Sequence, residues 1–254
     1  HDPAFVAGLM EPGETGGQET LATIVAERSR ELARYQDAAY SAAYRAFIDE
    51  VRAAEVAAGI ADDRLSRAVA RHLFALMAYK DEYEVARLYT DGAFARALAK
   101  TFSGDYALSF HLAPPLLAWR KDARGRPKKI AFRGRWLLPL LRLLARARRL
   151  RGTLFDPFGY HPDRRLERQL IIDYRKCLRD LMPALRPENY DIAVALAELP
   201  DRIRGFGPVK AANAAAARKE EARLVDAFRK ATPAPSAATS GHIAAGGRSS
   251  HLGQ

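Results

Sequence analysis

Along most of this chain apolar residues recur at the spacing of a helix. From Glu19 to Ala58 there is no proline or glycine, and alanine, glutamate and arginine dominate. The stretch predicts one long helix, or two meeting near Tyr35, with Tyr40, Tyr44, Phe47 and Val51 as the later apolar stripe. Gly59 ends it, and Asp62 or Asp63 is placed to cap the next helix. That helix is expected to run from Arg64 to about Tyr89, with Leu65, Val69, Leu73 and Leu76 on one face. Within it, Lys80, Asp81, Glu82 and Glu84 put four charges into the five positions that follow Tyr79, with Tyr83 among them. A charged knot in a core-like helix needs a reason, structural or functional.

A short helix follows on Phe94, Leu98 and Phe102, and then the period changes. Tyr106, Leu108, Phe110 and Leu112 alternate with Ala107, Ser109 and His111, a strand signature that Pro114 and Pro115 end. Lys128 to Arg133 is a plausible antiparallel mate. Trp136, Leu140, Leu143 and Leu144 mark a further helix, whose opposite face carries Arg135, Arg142, Arg146 and Arg149. Pro162 suits the first turn of a long helix with the stripe Leu166, Leu170, Tyr174, Cys177, Leu181 and Leu185. Pro187 opens a shorter helix ending at Leu199, and Pro208 to Lys230 forms a last, alanine-rich one. The expected architecture is mainly α, a multi-helix domain with one small antiparallel β-hairpin. Residues 1–18 read as linker, 19–231 as the helical domain and 232–254 as a disordered tail.

Composition narrows this picture. One cysteine, Cys177, excludes an internal disulfide and a cysteine-cluster metal site, and fits a reducing cytoplasm. The longest apolar run, Trp136 to Ala145, is broken by Pro139 and Arg142, well short of the ~20 residues that span a bilayer, so no membrane association is expected. The chain opens at His1 without a secretory signal and reads as a piece of a longer polypeptide. Its net charge of +11 is local: thirteen Lys or Arg lie between Arg120 and Arg151 against one acid, Asp122. That leaves 28 basic and 29 acidic residues elsewhere, so one basic patch sits on a neutral protein.

Three segments carry a resemblance: LFALMAYKDEYEVARLYTDG at 73–92, FHLAPPLLA at 110–118 and DPFGYHPDRRLERQLI at 156–171. In that order they resemble the C-terminal region of the large fused indolepyruvate ferredoxin oxidoreductases, of the 2-oxoacid:ferredoxin oxidoreductase class, over roughly Glu19 to Phe228. The resemblance implies an enzyme that oxidatively decarboxylates aryl-pyruvates to acyl-coenzyme A and reduces ferredoxin. It implies thiamine diphosphate, iron–sulfur clusters and coenzyme A for that parent enzyme, and its catalytic domains as partners of this region.

None of that machinery is written in these residues. A cluster needs several thiolates at fixed spacing, and no Gly-Asp-Gly segment, phosphate loop or dinucleotide fingerprint is present. The six histidines are scattered without a metal-ligand pattern; His72 and His111 read as packed or hydrogen-bonded side chains. No catalytic, cofactor-binding or metal-binding residue is therefore assigned, and the region is expected not to be catalytic alone. The knot of Lys80, Asp81, Glu82 and Glu84 is either a docking or proton-handling site or an ion-pair network joining helices, with Arg71, Arg87 or Arg96 as partners. The network is favoured because buried charges are normally paired, and Asp81→Asn should then cost ~1–3 kcal/mol. In the turn Phe155 to Tyr160, Asp156 can close an Asx turn or accept from an arginine such as Arg164, with three aromatics pinning the turn.

The basic ridge is the candidate interaction surface: Arg135, Arg142, Arg146 and Arg149, extended by Lys128 and Lys129. It is either a solvated or domain-covered face, or a site for an acidic protein such as ferredoxin or for the phosphates of coenzyme A. The alternative from another class is a basic helical nucleic-acid-binding or interaction module. Nucleic acid ranks low, since no helix-turn-helix, zinc-finger or RNA-recognition signature accompanies the charge.

Overall fold

Thr20 and Asp37 each accept a backbone N–H two or three residues inside a helix, and so they start the first two helices. These are α1 (Leu21–Tyr35) and α2 (Ala38–Ala57) of a computed structural model that describes residues 19–103, 107–112 and 130–232. Of the two readings open from the sequence, the structure takes the second, with the break after Tyr35. Gly59, at φ 73°, ends α2 in a left-handed turn that a side chain would strain.

The single helix expected from Arg64 to Tyr89 is instead two, α3 (Arg64–Met77) and α4 (Glu82–Thr90). The hydroxyls of Tyr40 and Tyr35 donate to the carbonyls of Met77 and Tyr79 at 3.1 and 2.9 Å, taking acceptors that a continuing helix would use. Asp81 then restarts the helix, its carboxylate accepting the Glu84 N–H at 2.8 Å. The charged knot therefore sits at a helix start, not within a helix. Asp81 followed three residues later by Glu84 is the sequence signal for that start.

After α5 (Ala93–Thr101), β1 (Ser109–Leu112) pairs antiparallel with β2 (Ile130–Arg133), Phe110 opposite Phe132 and His111 opposite Ala131. α6 (Gly134–Arg146) follows at once. Gly134 donates to the Leu108 carbonyl at 2.8 Å, and a Cβ there would lie 2.9 Å from the Leu108 Cβ, so only glycine lets α6 leave the strand at this point. α7 (Pro162–Leu181) starts at the expected proline, and α8 (Tyr190–Glu198) and α9 (Pro208–Ala231) complete a mainly α chain. No helix of the described residues is long and apolar enough to cross a membrane.

Two hydrophobic clusters result. The larger joins α1, α2, α3, α7, α8 and α9, with Ile24, Phe47, Leu73, Leu178, Leu196 and Phe228 among its buried members. The smaller joins Ala86 of α4, Phe110 of β1 and Leu137, Leu141 and Ala145 of α6. Tyr89 packs edge-on to Phe94 and Phe110 there, with ring centroids 5.0 and 5.1 Å away.

The expected linker 1–18, Tyr106, Lys128, Lys129 and residues 233–254 lie outside the described residues. Thr232, assigned from sequence to the tail, belongs to the fold. Its hydroxyl accepts from Asn189 at 3.0 Å and donates to the Phe228 carbonyl at 2.9 Å.

Cys177 sits where the α7 stripe puts it, half-buried against the larger cluster and facing a groove of about 710 Å³ between α7 and α9. Burial, followed by the nearby Glu221 and Asp180 charges, pushes its thiol up to about 12. The thiolate is the reactive form, so at pH 8.5 iodoacetamide should label native Cys177 at least ~10-fold more slowly than urea-unfolded chain. Because the folded-state value is raised, the neutral thiol's contribution to stability is present below the unfolded thiol's range, near 8.5, and is lost as the pH climbs towards 12. Equal labelling of native and unfolded chain at pH 8.5 would contradict this placement.

Candidate functional site

The knot is resolved into separate ion pairs by the turn that precedes α4. Asp81 and Arg151, seventy residues apart, are each only 3% exposed at the side chain and meet in a two-pronged bridge. Arg151 Nε and Nη2 donate to the two carboxylate oxygens at 2.5 and 2.8 Å, while Nη1 donates to the Tyr35 carbonyl at 2.7 Å. The guanidinium lies over the Tyr35 ring, 3.6 Å from its centroid. Burial alone would favour neutral Arg151, but the hydrogen bonds and charge of Asp81 outweigh it and hold the guanidinium's pKa above its ordinary value.

Glu82 accepts from Arg164 Nε and Nη2 at 3.2 and 3.1 Å, and Glu84 from Arg87 Nε and Nη2 at 2.9 and 2.7 Å. Of the partners expected from sequence, Arg87 is found. Arg71 instead pairs with Glu19, and Arg96 bonds none of these acids. Lys80 is exposed and makes no ion pair among the described residues.

The turn after Arg151 closes the same junction. Asp156 accepts from the Tyr83 hydroxyl at 3.1 Å, from Gly152 N at 2.8 Å and from Phe158 N at 3.1 Å. The last bond is the expected Asx turn, but Arg164 takes no part in it because Glu82 holds it. Of the three aromatics, Phe158 packs edge-on to Tyr83 at 5.4 Å and Tyr160, although exposed, ties the turn by donating its hydroxyl to the Leu154 carbonyl at 2.9 Å, whereas Phe155 is exposed. Burial, then the Asp81 charge, raises the pKa of Tyr35. Burial, then Asp156, does the same for Tyr83, so both phenols stay protonated.

Tyr35, Tyr79, Tyr83, Asp81, Arg151 and Asp156 are all buried yet belong to neither hydrophobic cluster. They form a polar and aromatic joint between the two. Every carboxylate in it is spent on a partner within the fold, so the joint holds elements together and leaves no base or nucleophile facing solvent.

The other candidate is the basic ridge. Arg142, Arg146 and Arg149 are exposed and form no hydrogen bond or ion pair with any described residue. Arg135 lies in the first turn of α6; its side chain, like Lys128 and Lys129, falls outside the described residues.

The apolar stripe of α6 is not the expected one. Leu137, Leu141 and Ala145 face α4 and the hairpin, whereas Trp136, Leu140 and Leu143 are 78%, 59% and 65% exposed. Of the residues that marked the helix in the sequence, only Leu144 packs against the smaller cluster. The helix is apolar around much of its circumference, so its period fits two stripes equally, and the position of α4 selects one. The arginines therefore flank an exposed apolar stripe instead of opposing a buried one.

Residues 21–223 match a family described as a family of unknown function, DUF6537. The chain belongs to this family. No curated protein and no solved structure matches it.

Among its described residues this DUF6537 chain shows one thiol and no clustered set of metal donors. Its one thiol is half-buried and held neutral, and among the described residues no three His, Cys, Asp or Glu side chains are placed to share a metal ion. His72 is half-buried, and burial lowers its pKa, with the Asp201 charge opposing. His111 is a strand residue whose side chain lies outside the described residues.

Sequence reasoning missed two members of the joint, Arg151 and Tyr35. Arg151 is one basic residue among thirteen in its stretch, and nothing local distinguishes it from Arg148 or Arg149.

Proposed function

We propose that this chain is the C-terminal accessory domain of a fused indolepyruvate, or 2-oxoacid:ferredoxin, oxidoreductase. On this reading the parent enzyme acts in the cytoplasm. It oxidatively decarboxylates aryl-pyruvates to acyl-coenzyme A and passes electrons to ferredoxin, and this domain contributes no catalytic group. Thiamine diphosphate, iron–sulfur clusters and coenzyme A belong to the parent's other domains, which are this domain's partners. The reading rests on the three motif segments in their order. The observation that carries it furthest is that two of them meet at the joint: Tyr83 of the first bonds Asp156 of the third inside it, and Glu82 bonds Arg164 at its half-buried edge. Residues that resemble a family signature are thus those that fix this fold. The acids of the joint and of the ion pairs beside it are all bonded within the fold, which supports an accessory role over a catalytic one.

The test has two arms. The open reading frame that contains His1 should continue upstream into a 2-oxoacid oxidoreductase catalytic region. The purified 254-residue chain should be colourless, carry no iron or labile sulfide, and give no calorimetric heat with thiamine diphosphate and magnesium. An upstream frame of another kind, or stoichiometric iron in the purified chain, refutes the assignment.

A further inference from the structure

We infer that the outward face of α6 is a docking surface for a protein partner presenting an apolar helix edged by carboxylates. Three observations converge on that face. Trp136, Leu140 and Leu143 recur at i, i+4 and i+7, and so form one exposed stripe along the helix. Arg142 and Arg146, continued by Arg149 in the following turn, run along one edge of that stripe with no partner among the described residues. From Ala123 to Phe155 the chain holds no aspartate or glutamate, so no acid of its own segment neutralises them.

The charge is one-sided. On the opposite edge Leu137 and Leu144 turn into the smaller cluster, and Arg148 is tied back by hydrogen bonds to the Gln36 and Ala145 carbonyls at 3.3 and 3.5 Å. A row of cations along one edge of an apolar stripe is matched by a row of anions at helical spacing along one edge of another helix. Mobile lipid headgroups demand no such ordered row. Tryptophan and arginine are also the residues most enriched where protein interfaces concentrate their binding energy.

Other occupants fit less well. A second copy would bring the same arginines towards one another. Residues 113–129 of this chain carry six basic residues against one acid, so they add charge of the same sign. Nucleic acid would meet the arginines but leave the leucines in water. The inference does not depend on the oxidoreductase reading and survives its failure.

The experiment uses the full chain with Trp119→Phe, which leaves Trp136 as its sole tryptophan. The probe is a designed amphipathic helical peptide with a leucine face edged by glutamates. A control peptide carries lysines in place of the glutamates. Saturable binding of the acidic peptide with a blue shift of Trp136 emission is expected, and the lysine peptide should leave the emission unchanged. Arg142→Glu/Arg146→Glu should weaken binding roughly 10-fold or more, and added salt should weaken it too. Leu140→Glu/Leu143→Glu should abolish it while melting like the parent chain, because both side chains are already exposed. If that variant unfolds, Trp136→Ala read by calorimetry replaces it, with the same loss expected. Absence of binding, equal binding of the lysine peptide, or insensitivity to these variants overturns the proposal. So does a Trp136 shift produced instead by phosphatidylserine vesicles, by duplex DNA or by self-association of the chain.

Discussion

Replacing Arg151 with methionine is expected to lower the stability of the folded chain by about 3–5 kcal/mol, measured by urea denaturation. The methionine fills most of the volume but leaves the Asp81 carboxylate buried without its counter-ion, and the Tyr35 carbonyl without its donor. A buried charge stripped of its partner costs more than the pair itself contributes, because desolvation is no longer offset. Asp81→Asn keeps the Glu84 cap partly satisfied and removes the charge, so it should fall at the upper end of the ~1–3 kcal/mol expected from sequence. The Asp81→Asn/Arg151→Met double variant should be less damaging than the two losses added together, since each single change strands what the other removes. Additive losses, or an Arg151→Met cost below ~1 kcal/mol, would show that the bridge does not hold the joint.

Glu55→Gln should also be severe, about 2–4 kcal/mol, although it removes no atoms from the side chain's volume. Glu55 is a fully buried residue near the end of α2, and its carboxylate reaches the first turn of α3 at Ser66. One of its oxygens accepts the Tyr190 hydroxyl at 2.7 Å and Ser66 N at 3.3 Å; the other accepts the Ser66 hydroxyl at 2.5 Å and Arg52 Nη1 at 3.1 Å. The Tyr190 hydroxyl in turn accepts Leu65 N at 3.0 Å, so its own proton points at Glu55. Glutamine would aim two N–H donors at a set of donors whichever way its amide turned. The expected local cap is only partly used. Asp62 accepts Arg64 N at 3.0 Å, whereas Asp63 makes no capping bond and pairs with Arg67. Asp62→Ala should therefore cost no more than about 1 kcal/mol. A larger loss for Asp62→Ala than for Glu55→Gln would mean that α3 is started locally, as the sequence suggested.

What the sequence determined by itself is the part that rests on neighbours in the chain. The stop at Gly59, the start of α7 at Pro162 and the α7 stripe through Leu170, Tyr174 and Leu181 all follow from short-range physics. Caps, glycine's freedom at positive φ, proline's missing donor and apolar periodicity act over a few residues. The pairing of Glu84 with Arg87 was legible for the same reason, because three residues along a helix bring side chains together.

Tertiary structure alone decided the rest. The break between Met77 and Glu82 depends on hydroxyls supplied by Tyr35 and Tyr40, about forty residues upstream. Arg151 became Asp81's partner because, among basic residues alike in charge and spacing, it is the one of those described that is carried into the joint between the two clusters. On α6 the period allowed two apolar faces, and the position of α4 buried Leu137 and Leu141 and left Trp136, Leu140 and Leu143 outside. In each case the deciding contact lies far along the chain. A pattern that repeats every few residues records which side chains share a face, but not which face another element will cover.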